Sequence, residues 1–284
     1  MSTKLSVLIP TKNEAENITD CIRSIGDLAD ELVVVDSYSE DDTVEMAMEL
    51  GADILQRQYR YSTSQKNWAM SLLKNDWVLI LDADERLTPA ARQEIAAIMR
   101  AGPSCDGYWI RRETYFLGRR MRCLSSDTVL RLFNRKRGRY EDKLVHGEVQ
   151  MTGKVGRLKA PMEHYSYRSF SHFIPKFDRY TTWAAQEAFL RGRRSSWWKV
   201  FSYPLGHFLK YAFLKGGILE GTRGLIVTGL DAYVAFLKYS KLWELGWRES
   251  SGLPLNLPPK DEEMKNRKAD ADAHVPADEG DPGL

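Results

Sequence analysis

Three short runs of almost unbroken apolar residues constrain this chain more than any other feature: Leu5-Ser-Val-Leu-Ile9, Leu32-Val-Val-Val35 and Trp77-Val-Leu-Ile-Leu81. Each is short, rich in β-branched and other large apolar side chains, and stops at a polar cluster, which is the pattern of a strand covered on both faces. Between the runs lie segments with helical spacing. Glu14 to Ile25 places Ile18, Ile22 and Ile25 on one face, Asp42 to Leu50 follows a group of capping-type residues, and Ser62 to Leu73 leads into the third run. Strands alternating with helices predict a doubly wound α/β fold with a mostly parallel sheet and right-handed crossovers.

In such a sheet, ligands bind outside the carboxyl ends of the strands. The residues at those ends are Pro10-Thr-Lys-Asn-Glu14, Asp36-Ser-Tyr-Ser-Glu-Asp-Asp-Thr43 and Asp82-Ala-Asp-Glu85, so carboxylates gather at three strand ends. Asp82 and Asp84 are two residues apart and can approach one hard divalent cation, Mg2+ or Mn2+, whose remaining positions are filled by water and substrate phosphates. The alternative is that these acids cap the helix at Thr88-Pro89 or lie solvated in a turn. Asp36 can accept hydrogen bonds from a nucleotide base or from ribose hydroxyls, or can serve a turn with Ser37, Ser39 and Asp41. Pro10 reads as a chain reversal after which Thr11 and Asn13 present donors to a nucleotide.

The charge balance separates the two halves of the chain. The 41 Lys/Arg and 39 Asp/Glu nearly cancel overall, yet residues 1–100 carry 10 against 18, residues 101–250 carry 27 against 13, and residues 251–284 carry 4 against 8. Tyr108 to Arg112 and Val129 to Phe133 read as further strands of a mixed sheet. From Tyr165 onward, aromatic and basic residues increase, with Arg191-Gly-Arg-Arg194, Trp197-Trp-Lys199 and amphipathic stretches near 200–215 and 222–246. Such a surface suits an anionic membrane, with rings at the headgroups and cations toward phosphates; a packed helical subdomain or a dimer interface is the alternative. The basic stretch contains no recognised nucleic-acid motif, and no nucleic-acid partner is expected. The segment from Ser251 is too polar to bury the surface that folding requires, which predicts a disordered tail.

Cys21, Cys105 and Cys123 show no Cys-x-x-Cys spacing and read as reduced thiols. The Leu5 to Ile9 run is too short for a signal-peptide core, and no stretch reaches the roughly 20 apolar residues of a spanning helix. The expected location is therefore cytoplasmic, peripheral on the inner face of the cytoplasmic membrane.

Taken together, Leu5 to Glu14, Val33 to Thr43, Gln65-Lys-Asn67 and Leu79 to Glu85 resemble the family 2 glycosyltransferases, which have the GT-A fold and invert the anomeric centre. The resemblance covers residues 4 to 165 in order and spacing. Asn13-Glu-Ala-Glu-Asn-Ile18, Gln65-Lys-Asn-Trp68 and Leu237-Lys-Tyr-Ser-Lys-Leu-Trp243 further resemble the bacterial branch that builds lipopolysaccharide core and related envelope glycans. The resemblance implies a nucleotide diphosphate sugar with its base near Pro10 and Asp36, its diphosphate met by Lys66, and a metal held through Asp82 and Asp84. Thr11, Asn13 and Glu14 complete the implied donor site, and His164 is a further metal candidate, after a histidine found in some relatives.

The acceptor hydroxyl needs a base, and the resemblance places a carboxylate after the metal motif. The choice in Tyr140-Glu-Asp-Lys-Leu-Val-His-Gly-Glu148 is Glu148, with Asp142 and His146 as alternatives, because Gly147 separates His146 from Glu148 where this branch has Val-His-Glu. The implied activity is transfer of a hexose, glucose being one candidate, to a hydroxyl of a lipid-linked or lipopolysaccharide-type glycan. Its rivals are a nucleotidyltransferase and a GT-A domain that binds nucleotide or glycan without turnover. The expected organisation is a catalytic domain over 1–165, with a nucleotide-sugar and metal half over 1–100 and an acceptor half over 101–165. A basic aromatic helical region over 166–250 and the tail over 251–284 follow.

Overall fold

The computed structural model describes residues 2–125, 127–141, 147–167, 170–255 and 257. The first half alternates as expected through β1 (Leu5–Thr11), α1 (Ala15–Ile25), β2 (Glu31–Asp36), α2 (Thr43–Glu49), β3 (Asp53–Gln56), α3 (Ser62–Leu72) and β4 (Trp77–Ile80). It continues through β5 (Glu85–Leu87) and α4 (Pro89–Ala101). The strands of the second half are β6 (Gly107–Phe116), β7 (Arg119–Arg120), β8 (Thr128–Asn134), β9 (Gly138–Tyr140), β10 (Val149–Met151), β11 (Val155–Arg157) and β12 (Met162–Tyr167). Three long helices close the described chain: α5 (Phe170–Leu190), α6 (Trp197–Leu209) and α7 (Gly221–Ser250).

The main sheet runs β3-β2-β1-β4-β8-β6-β12-β5, with β7 and β11 added along β6. Its first four strands are mutually parallel. β8 is antiparallel to both β4 and β6. β12 then runs parallel to β6 and antiparallel to β5. Only residues 81–84 join β4 to β5, yet β5 closes the far end of the strand order. The sheet therefore curls until its β12-β5 arm returns beside the end of β4, and Asp82 and Asp84 lie in that return.

Both faces of the parallel half are covered, as the unbroken apolar runs require. On one face Leu5, Val7, Ile9, Val34, Leu79 and Leu81 pack with Ile18, Ile22 and Ile25 of α1 and Ile95 of α4. On the other, Leu8, Val33, Val35, Val78 and Ile80 meet Ala69 and Met70 of α3. α4 starts on Thr88, whose hydroxyl accepts the Ala91 N–H at 3.1 Å, with Pro89 at the first helical position. Thr88 thus caps that helix, and Asp82 and Asp84 are left to another role.

Pro10 departs from the reading of the sequence. It belongs to β1, in register with Val35, and does not reverse the chain. β1 pairs with β4 only from Leu5 to Leu8, so the missing proline N–H falls beyond that ladder and is tolerated. The reversal comes at Asn13, whose φ of 54° is left-handed. The basic region holds more helix than the stretches near 200–215 and 222–246 that the sequence singles out: α5 precedes them, Trp197 and Trp198 open α6, and α7 extends over 30 residues. Among the described residues no helix is long and apolar enough to cross a membrane. The tail expected over 251–284 lies, past residue 257, outside the described residues.

Candidate active site

The carboxyl ends of β1, β2 and β4, neighbours in the parallel half, lie side by side at one edge of the sheet. Asp36, the last residue of β2, is fully buried. Its carboxylate accepts the Ser39 N–H at 2.8 Å, the Ser39 hydroxyl at 2.5 Å and the Thr11 hydroxyl at 3.2 Å. With the Gln56 side-chain amide at 3.4 Å, four donors on a buried carboxylate fix its orientation at the strand end. The Asn13 turn is tied to the same loop, because its N–H donates to the Ser39 hydroxyl at 2.8 Å and its side-chain oxygen accepts the Glu40 N–H at 2.8 Å. Thr11, Asn13 and Asp36 thus form one hydrogen-bonded corner.

The four residues after Leu81 carry the densest charge. Lys66, buried on α3, donates to Asp82 at 2.7 Å and lies 5.3 Å from the centre of the Tyr140 ring. Arg131 of β8 also reaches Asp82, and holds Glu85 at 2.6 Å. Glu85 is wholly buried; it accepts the Asp82 N–H at 2.9 Å and lies 3.4 Å from Arg112. Burial alone would raise the Asp82 carboxyl, but Arg131 and Lys66 outweigh it and hold the group well below its ordinary range. Burial likewise works against the Lys66 ammonium, and Asp82 more than offsets it, so Lys66 stays charged.

Asp84 has a separate set of partners. Its Oδ2 lies 3.6 Å from His164 Nε2 on β12, 3.4 Å from Lys176 Nζ on α5 and 3.3 Å from the Ser166 hydroxyl. The Tyr165 N–H donates to the Asp84 carbonyl at 2.8 Å, which fastens the β12 arm to the turn. Burial would raise this carboxyl too, yet His164 and Lys176 hold it well below its usual value. Glu14 moves the other way: burial first, then the nearby Asp84, raise its carboxyl from 4.5 to about 7. Its Oε2 accepts the Asn17 side-chain amide at 2.6 Å.

The structure therefore brings together Thr11, Asn13, Glu14, Asp36, Lys66, Asp82, Asp84 and His164, all read as site residues from the sequence. Glu148 has no hydrogen bond to them among those seen for the described residues. It is exposed just before β10, and its carbonyl accepts the Glu141 N–H at 3.0 Å. Gly147 lies against Thr63 of α3, where a β-carbon would come within 2.3 Å of the Thr63 methyl. The alternatives Asp142 and His146 lie outside the described residues. Arg131 and Lys176 are not among the residues the sequence singles out, and Glu85, read there as one of the strand-end carboxylates, is the acid that grips Arg131. The signal for Arg131 was an arginine in the middle of the apolar strand Val129 to Phe133, a position that a buried strand fills with charge only when a partner waits there.

Acids and lysines gathered at the carboxyl ends of a curled, mostly parallel α/β sheet are the arrangement of a GT-A fold. The family model for glycosyl transferase family 2 matches residues 6–158, and the chain belongs to that family. An uncharacterized glycosyltransferase of Rickettsia felis is 30% identical over 255 residues, spanning 85% of this chain and 90% of that protein. The lipopolysaccharide core biosynthesis glycosyltransferase LpsC of Rhizobium meliloti is 29% identical over 249 residues, 84% of this chain and 92% of its own. Among solved structures, S. aureus TarS 1-349 aligns over 91% of this chain and 95% of that chain at 14% identity, with a TM-score of 0.43.

Proposed function

We propose that this glycosyltransferase moves a hexose, with inversion, from a nucleotide diphosphate sugar to a hydroxyl of a lipid-linked or lipopolysaccharide-type envelope glycan. The observation that carries the reading is the convergence of Asp36 with the Lys66–Asp82 and Asp84–His164 pairs at neighbouring strand ends. The first element suits a nucleoside and the others a charged diphosphate. The likeness to the lipopolysaccharide core enzyme along most of both chains supports the envelope acceptor.

The donor set fits a divalent cation. Asp84 and His164 offer a carboxylate oxygen and an imidazole nitrogen 3.6 Å apart, and the Lys176 ammonium beside that oxygen shows that the position holds positive charge. Among the described residues no three of His, Cys, Asp or Glu gather into a cage. Such a partial set is what Mg2+ or Mn2+ uses when water and phosphate complete the shell. Asp84 and His164 would hold the ion, Asp82 being engaged by Lys66 and Arg131, and its chemistry there would be to neutralise the departing diphosphate as a Lewis acid.

Inverting transfer is one in-line displacement: the acceptor oxygen bonds to the anomeric carbon as the bond to the diphosphate breaks, and the acceptor proton passes to a base. We assign the base to Glu148, with Asp142 and His146 as the alternatives. Lys66 faces the diphosphate, and Asp36 with Thr11 and Asn13 receives the nucleoside. The catalytic unit spans 1–165, followed by the helical region over 166–250. That region is suited to the inner face of the cytoplasmic membrane: Trp197, Trp198, Phe201, Leu205, Phe213 and Leu214 are exposed along α6 and the turn after it, beside Lys199, Lys210 and Lys215.

A thermal-shift panel of UDP, GDP, ADP and CDP, with and without Mn2+, tests the proposal. One nucleoside diphosphate should stabilise the protein strongly only with Mn2+, through preferential binding to the folded state, and Asp84→Asn should lose that metal-dependent part. No shift with any nucleotide would refute the donor class.

A further inference from the structure

Lys176 is a half-buried cation beside Asp84 that the motifs of the first hundred residues do not foreshadow. Its side chain is 23% exposed and the Asp84 side chain 10%, so the pair is largely withdrawn from water. The helix that carries it is held at several points further along. Trp183 stacks on Tyr59 with ring centres 6.3 Å apart, and Tyr180 meets Trp183 edge-on at 5.9 Å. Lys241 of α7 donates to the Asp178 carbonyl and to its carboxylate, both at 2.7 Å. α5 is thereby braced on one side by the loop before α3 and on the other by α7, with Lys176 turned toward Asp84.

The two acids of the motif are neutralised in different ways. Asp82 is locked, with Lys66 at 2.7 Å on Oδ1 and Arg131, itself gripped by Glu85, on Oδ2. The Asp84 contacts are looser: Lys176 at 3.4 Å and His164 at 3.6 Å share Oδ2. Around this motif Asp82, Asp84 and Glu85 face Lys66, Arg112, Arg131 and Lys176, and Glu14, raised to about 7, adds part of a further negative charge, so this cluster is close to neutral. A donor diphosphate and a divalent cation arrive as a pair with no net charge, and the site can accept both without a new imbalance. A divalent cation brought to Asp84 Oδ2 would lie against that ammonium, so the two positive charges repel at the oxygen they would share.

We propose that Lys176 is the exchangeable cation of this site: it neutralises Asp84 before the donor arrives and, released when Asp84 takes up the divalent cation, binds the donor diphosphate. The assignment rests on the nucleotide-sugar reading above and adds a diphosphate ligand from the helical region. It explains why a lysine is held against an acid that the reaction requires. It also makes the metal and Lys176 competitors without nucleotide and collaborators with it.

The test uses full-length Lys176→Met and Lys176→Arg, with fold checked by circular dichroism. Binding of Mn2+ alone is measured by electron paramagnetic resonance, and binding of UDP, GDP, ADP and CDP in saturating Mn2+ by calorimetry. Lys176→Met should bind Mn2+ alone about tenfold more tightly and the preferred nucleoside diphosphate about tenfold more weakly, the scale of one partly buried charge contact. Lys176→Arg should restore the nucleotide affinity. If the methionine variant does not fold, Lys176→Gln carries the same comparison. Unchanged or weaker Mn2+ binding in the neutral variant, or unchanged nucleotide binding, overturns the role of Lys176 while the function stands. A wild-type protein that binds none of the four nucleotides overturns both.

Discussion

Replacing Arg131 by methionine should be the most damaging single change that leaves the apolar core intact. The guanidinium spans Asp82 and Glu85, is 6% exposed, and bonds a glutamate side chain that is 0% exposed. Removing one partner of a buried ion pair leaves an uncompensated charge and costs about 3–5 kcal/mol. Here each orphaned acid retains one cation, since Lys66 stays 2.7 Å from Asp82 and Arg112 3.4 Å from Glu85. That places the expected loss near the lower limit, about 3 kcal/mol. For a chain of this size the loss lowers the melting temperature by roughly 6–12 °C. The assay is thermal unfolding by circular dichroism at pH 7.5 for wild type, Arg131→Met, Glu85→Gln and the double variant. If the damage comes from the stranded Glu85 charge, adding Glu85→Gln to Arg131→Met should recover part of the loss. A single variant within about 1 °C of wild type, or a double variant as unstable as the sum of both singles, would refute the reasoning.

Three more outcomes are expected. Glu14 has a folded value of about 7 against 4.5 ordinarily, so the folded state retains the proton longer than the unfolded chain. Stability from this group is full below pH 4.5 and falls as pH rises to 7; Glu14→Gln should flatten that decline by on the order of 2 kcal/mol in denaturation midpoints across the window. A Glu14→Gln profile parallel to wild type would contradict it. Glu148→Gln should lower single-turnover transfer by about 10²–10⁴ with donor affinity unchanged; a near-normal rate would move the base to Asp142 or His146. Trp197→Ala with Trp198→Ala, which removes rings that are 68% and 63% exposed, should weaken sedimentation with anionic liposomes by about tenfold or more. Equal sedimentation would assign that face to another partner.

Much of the donor side is legible in the sequence. β1, β2 and β4 announce themselves because a strand buried on both faces must be apolar at nearly every position. The polar residues that follow them had to lie at the strand ends, and Asp36, Asp82 and Asp84 do so, while Lys66 reaches Asp82 from the middle of α3. β5 was hidden because its three residues, Glu85–Leu87, overlap a motif that already reads as ligand chemistry. Arg131 and Lys176 were hidden for a different reason. Their partners lie 49 and 92 residues away, and no local periodicity encodes a charge pair across such a separation. Pro10 was misread because a proline near a strand end suits both a turn and the last, unpaired stretch of a ladder.

The late arrival of the Asp84 partners has a consequence for biosynthesis. Ser166 and Lys176 follow Asp84 by 82 and 92 residues, and a ribosome delivers the amino terminus first. A nascent chain can therefore assemble the first four parallel strands while Asp84 still lacks its counter-charges. On the role proposed for Lys176, competence is withheld until α5 has left the exit tunnel, and a truncated translation product would carry Asp84 without the cation that balances it.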